Sequence, residues 1–371
     1  MSAEAEAGAE AAAAAGTPWW SWLVPVCALA LGGVGSIAFG GAIPLVMFAL
    51  AVPILFATVF AAVHHAETIA HRIGQPFGSI LLALAVTVIE VSLIVSILLS
   101  ASEGDSTIAR DTVFAAIMIV LNGIVGLCLL IGGVRHHEQG FHARSATGAL
   151  GVLGTLAVLG LVLPNFTTTT PGPDYAPAQL VFVAVVSLAL YGLFLYVQTI
   201  KHKDTFLDPD DTAEAQEPPP RREFLAALGL LPLSLLAVVL LAEVLSHPVE
   251  SAILRAGFPA ALIGVVIAMI VLMPEGVASL RAARANRIQT SLNLALGSAL
   301  ASLCLTIPTV ALVSLALGQT LILGLDAEHM VLLLLSLFMA TLSLAMGRTT
   351  VLQGGIHLVI FFAFLTISAI P

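Results

Sequence analysis

The sequence predicts an all-α, polytopic membrane protein with about eleven transmembrane helices, arranged as one helix plus two inverted five-helix repeats. Three observations predict it. Hydrophobic residues make up 59% of the 371 residues and charged residues only 9%, with a mean hydropathy of +1.07; a soluble domain carries about 25% charged residues. Apolar runs long enough to cross a bilayer recur from residue 19 to the end. A single long polar stretch, KHKDTFLDPDDTAEAQEPPPRRE at 201–223, divides those runs into two groups.

The elements follow in order. Residues 1–18 open with the Ala-rich, acidic MSAEAEAGAEAAAAAG and read as a disordered tail. A secretory signal needs a basic region before its apolar core, and none is present here. Trp19, Trp20 and Trp22 then mark a membrane interface, and 19–41 supplies an extra N-terminal helix. By the criterion of ~20 apolar residues, spans fall at roughly 19–39, 42–63, 77–100, 113–134, 146–163, 178–199, 224–246, 259–280, 290–316, 328–346 and 349–370. The fifth is short. Its Gly148, Gly151, Gly154 and Ala157 form a small-residue face suited to close helix packing.

Basic residues orient the chain. With the N-terminus in the cytoplasm and the C-terminus outside, only Arg110 and Arg255 of the 13 Lys and Arg residues fall on the outer side. The net charge is −9 and no basic tract exists, so nothing points to nucleic acid as a partner; the lipid bilayer is the expected one. Cys27, Cys128 and Cys304 lie in apolar runs without CxxC or Cys/His spacing and read as packing residues.

The Pro- and acid-rich linker 201–223 reads as disordered and cytoplasmic. It separates a first five-helix repeat, 42–200, from a second, 224–371. Five is odd, so the second group enters the membrane from the opposite side. That is the inverted plan common among secondary transporters, in which substrate lies near the midplane where the halves meet.

Two stretches carry the chemistry: TVIEVSLI at 87–94 and LMPEGVAS at 272–279. Each buries one acid, Glu90 or Glu275, in a spanning run at a matching place in its half. A carboxylate there costs roughly 2.5–3.5 kcal/mol on insertion scales, and intramembrane acids mark ion or proton paths. Low dielectric favours the neutral form of a carboxyl group and a bound cation favours the charged form. A pair of such acids therefore holds either a cation or protons, and that exclusion is the basis of antiport. Thr87, Asn122, Asn293, Ser298 and Ser302 add hydroxyl and amide oxygens, giving a hard ligand set suited to Ca²⁺; the other reading of each Ser or Thr is interhelical hydrogen bonding. Pro274 removes a helix hydrogen bond, so either an interrupted helix or an ordinary kink is expected there. Glu275 lies six residues before Arg281, and an interruption or a cytoplasmic extension of the helix is needed to bring it level with Glu90.

His64, Glu67 and His71 share one face of the second span. They read as solvated interface residues, as an access path for protons, or as ligands of a membrane metalloenzyme; the spacing is not HExxH. Glu243 on the seventh span is the inverted counterpart of Glu67 and a second candidate for the access path. The acids Asp204, Asp208, Asp210, Asp211, Glu214 and Glu217 do not make an EF-hand, because from Asp208 position 6 is Ala213 and position 12 is Pro219. No phosphate-binding loop, serine nucleophile motif or dinucleotide fingerprint appears.

The runs AHRIGQPFGSILLALAVTVIEVSLI (70–94), TVFAAIMIVLNGIVGL (112–127) and LMPEGVASLRAARANRIQTSLNLALGSALASLCLTIPTVAL (272–312) resemble the bacterial calcium/proton antiporters of the cation/calcium exchanger superfamily. Within it, the chain looks closest to the branch also described as sodium/proton and potassium/proton antiporters. The resemblance covers residue 42 to the end. It implies a fold of one plus five plus five helices with an acidic loop between the halves, and makes Glu90 and Glu275 the paired acids of two signature repeats. Ser298 and Ser302 match the Gly-Ser segment of the second repeat. The first repeat departs from the pattern: it reads TVIE where the family has Gly-Asn/Thr–Pro–Glu, and no Gly-Ser pair lies near Asn122. The resemblance implies a transporter rather than an enzyme, without a cofactor, in a bacterial cell membrane. Its transported substrates are Ca²⁺, or Na⁺ or K⁺, and H⁺, with a Na⁺-driven calcium exchanger as the alternative.

Overall fold

The computed structural model describes residues 18–39, 45–74, 77–100, 107–206, 219–259, 261–318 and 320–370. The acidic tail and most of the acidic linker lie outside the described residues, with Asp208, Asp210, Asp211, Glu214 and Glu217. Eleven helices are described: α1 (Trp20–Phe39), α2 (Leu45–Ile73), α3 (Phe77–Ser100), α4 (Ile108–His136), α5 (Ala143–Phe166), α6 (Pro177–Lys201), α7 (Arg221–Arg255), α8 (Ala261–Arg284), α9 (Ile288–Leu317), α10 (Ala327–Ala345) and α11 (Val351–Ala369). No strand forms among the described residues, only two isolated bridges, Gly140 with Arg348 and Asp174 with Ile322.

Among the described residues, nine helices are long and apolar enough to cross a membrane. The other two expected spans fall on α1 and α3, whose apolar described stretches, Trp20–Gly35 and Ala83–Ser92, are shorter. The chain is an all-α integral membrane protein. Helices suit that setting because each satisfies its own backbone, as hydrocarbon cannot.

The chain divides into two compact units, Met1–Ala85 with Ala215–Leu245, and Val86–Glu214 with Ser246–Pro371. In the first, α1 packs on α2, and Gly32 of α1 sits against the backbone of Leu240 and Leu241. His65 on α2 bonds through Nε2 to the Ser21 carbonyl at 2.9 Å, and the Trp20 ring lies tilted against His64 with centroids 5.7 Å apart. Arg72 donates to the Pro219 carbonyl at 2.6 Å and lies over the Phe224 ring.

In the second unit α4 is the central helix, buried along most of its length. It is α-helical over Ile108–Met118 and Val125–His136, with a π-helical turn at Ile119–Ile124 between. Its neighbours come close where side chains vanish. A Cβ on Gly264 of α8 would stand 2.9 Å from the Thr112 nitrogen, and one on Gly354 of α11 would collide with the backbone of Leu130. The glycines of the small-residue face expected on α5 do not serve this purpose. Gly148 and Gly151 have open space around them, and Gly154 meets only Leu337 at 3.7 Å. The packing stripe of α5 is Ala146, Ala149, Leu150, Leu153, Leu156 and Ala157, so Ala157 of the expected face is buried while Gly148 and Gly151 turn outward.

Loops gather at two opposite ends of this unit. At one end Arg110 at the start of α4 donates to the Gly324 carbonyl at 2.8 Å and to Asp326 at 3.1 Å. At the other, Gln139 Nε2 donates to the Ala283 carbonyl (3.0 Å) and to Asn286 (2.9 Å), and the Thr349 hydroxyl receives the Gln139 N–H at 3.0 Å. Successive helices therefore run up and down, as a multi-span chain requires.

Candidate cation site

Glu90 and Glu275 both lie in the second unit, each 2% exposed. Glu90 comes from α3 and Glu275 from α8. The helix that meets both is α9. Its LGSALAS segment places Ser298 and Ser302 four residues apart, hence on one face with an axial rise of ~6 Å. The Ser302 hydroxyl donates to Glu90 Oε1 at 2.7 Å, and the Ser298 hydroxyl donates to Glu275 Oε1 at 3.1 Å. One helix thus tethers an acid from each side at adjacent turns. Glu275 Oε2 is buried and has no hydrogen-bond partner among the described residues. Thr87, one turn before Glu90, is also buried.

Helix α8 runs unbroken through Pro274 to Arg284. The interruption that Pro274 suggested is not found, and the helix reaches the level of the serines by extending past Glu275. Proline still leaves the Ile270 carbonyl without its usual donor four residues on.

The other residues expected at the site or on its access path make the following contacts. Asn122 falls in the π-helical turn of α4, where its Nδ2 donates to Ser336 Oγ at 2.8 Å. Asn293 sits one turn after Gln289, accepts from it at 2.8 Å, and donates to the Phe206 carbonyl. Both amides are hydrogen-bonded to other groups. His64 and Glu67, half-buried on α2, and Glu243, exposed on α7, belong to the other unit.

A buried network lies beside Asn122. His357 of α11, fully buried, places Nδ1 3.1 Å from Asn122 Oδ1 and Nε2 3.2 Å from Ser343 Oγ. Since Ser336 spends its own hydrogen on Leu332 O, the amide orientation is set, and it assigns the imidazole proton to Nδ1. The signal was available, because a histidine within an apolar span is as unusual as an asparagine. Its partners were not, since Asn122 and His357 are 235 residues apart.

A helical membrane bundle with paired acids, each held by a hydroxyl in its interior, defines an ion transporter of the exchanger type. The model of the sodium/calcium exchanger protein family matches residues 43–200 and 226–370, and the chain belongs to that family. The family is one of transporters, not enzymes, so the metalloenzyme alternative for His64, Glu67 and His71 falls away. The chain is 52% identical over 361 residues to the protein y4hA of Sinorhizobium fredii, covering 95% of this chain and 97% of the relative. It is 35% identical to the sodium-potassium/proton antiporter ChaA of Escherichia coli, over 84% of this chain and 85% of that one. Its fold matches solved YfkE, named a Ca²⁺/H⁺ antiporter, with a TM-score of 0.72 at 18% identity, covering 95% of this chain and 100% of the other.

Proposed function

We propose that the protein is a cation/proton antiporter in which Glu90 and Glu275 bind cation and proton in turn. The observation that carries the reading is the pair of buried acids tethered by Ser302 and Ser298 on adjacent turns of α9. When both acids are ionised, carboxylate and hydroxyl oxygens from α3, α8 and α9 offer a cation hard ligands. When the cation leaves, two uncompensated charges in a low-dielectric interior are costly, and protons replace it. Because the two states exclude each other, movement of the cation one way is tied to protons moving the other way.

The transported ion is Ca²⁺, or Na⁺ or K⁺. The oxygen-only donor set suits Ca²⁺, while a relative at 35% identity is named for sodium, potassium and protons. That name also favours proton coupling over a Na⁺-driven exchanger. The residues 42–200 and 224–371 are inverted repeats that rock to expose the site to each side, with the N-terminus in the cytoplasm, as the distribution of basic residues supports.

Everted vesicles with an internal acid and a pH-sensitive dye test this. Addition of Ca²⁺, Na⁺ or K⁺ separately should dequench the dye for each transported ion. Glu90→Gln and Glu275→Gln should each abolish the response, with the protein still inserted at normal level. Undiminished exchange in either variant refutes the assignment.

A further inference from the structure

We propose that Asp326, Glu328 and His329 form a second cation site, separate from the buried acids, that takes a divalent transition-metal ion of the zinc class. One ligand atom from each of the three lies within 4.8 Å of the others. The decisive observation is His329. It is 7% exposed, and neither Nδ1 nor Nε2 has a hydrogen-bond partner among the described residues. The Phe114 ring, 4.9 Å away, packs against the imidazole. Asp326 and Glu328 are exposed, so an ion reaches the group from water.

Helix capping does not account for Asp326. Asp326 occupies the N-cap position of α10 without making the capping hydrogen bond. Its Oδ2 pairs instead with Arg110 at 3.1 Å, which leaves Oδ1 for a ligand. Arg110 is itself paired with Asp111 at 2.8 Å. Three carboxylates, Asp111, Asp326 and Glu328, against one guanidinium leave two negative charges beside a neutral imidazole. That matches a divalent ion.

An imidazole with carboxylates suits zinc-like metals, whereas Ca²⁺ takes oxygen alone. Zinc bonds of roughly 2.0–2.2 Å set tetrahedral donors about 3.4 Å apart. The exposed carboxylates therefore need to move inward by at most about 1.4 Å, and water completes the shell. On the proposed orientation this end of the bundle faces outward.

The test uses the purified full-length chain in detergent, in a Glu90→Gln/Glu275→Gln background so that the buried acids do not contribute. Co²⁺ is titrated and followed by its visible absorption, then displaced with Zn²⁺ or Ca²⁺. One equivalent of Co²⁺ should bind, Zn²⁺ should displace it, and Ca²⁺ at the same excess should not. His329→Gln and Glu328→Gln should each weaken binding at least tenfold. Glu328 is exposed, so its variant decides the matter if His329→Gln fails to fold. Absence of the cobalt band, an unchanged band in Glu328→Gln, or equal displacement by Ca²⁺ overturns the proposal.

Discussion

Ser298 and Ser302 are small residues with a large share of the proposed mechanism. Each gives one hydrogen bond to a buried carboxyl group. A hydrogen bond to a charged group contributes about 1.5–3 kcal/mol, so Ser302→Ala or Ser298→Ala should raise the KM for cation by about tenfold or more. The vesicle assay measures this at graded cation concentrations; an unchanged KM in both would show that α9 does not present its hydroxyls to the ion. At this scale the sequence marked the acids, serines and amides as polar residues inside spans, and it did not show which partners each would bind. Glu90 and Glu275 announce themselves because an acid in an apolar run has few reasons to exist. Asn122 and Asn293 read from the sequence as candidate ligands, and the hydrogen bonds each makes depend on which helix its face turns to. That direction is set by the π-helical turn around Asn122 and by the neighbourhood of Phe206, neither of which shows in hydropathy.

Among the elements, the contact between α4 and α11 is made through glycines of both helices. Gly126 lies against the Cβ of His357, Gly133 against Val351, and Gly354 against Leu130. Overpacking of a tight contact costs about 1–3 kcal/mol and often more where backbone is the obstacle. Gly354→Leu should therefore lower the thermal midpoint of the detergent-purified protein by several degrees or more. Gly148→Leu on α5, where space is open, should leave it unchanged; equal midpoints for the two variants would contradict the packing described. Helix positions were readable from the sequence because length and hydropathy suffice. Which glycines are contacts was not, because Gly148 and Gly354 look alike without the neighbour. The unbroken α8 makes the same point: proline removes one hydrogen bond, and whether the helix breaks or merely bends depends on what packs around it.

For the whole molecule, composition alone predicted the class, and the family match over residues 43–200 and 226–370 agrees with it. What composition did not show is how the ends of the second unit are fastened. Arg110 holds Gly324 and Asp326 at one end, and Gln139 joins Ala283, Asn286 and Thr349 at the other. Every one of these bonds joins a segment before the acidic linker to one after it. The peptide connection through 207–218 is then dispensable for holding them together. Two polypeptides, 1–206 and 219–371, made in the same cell should find each other and co-purify through a tag on either one. Cleavage at the linker should likewise leave a single assembled particle, so the molecule behaves as a pair of complementing fragments that happen to be synthesised as one.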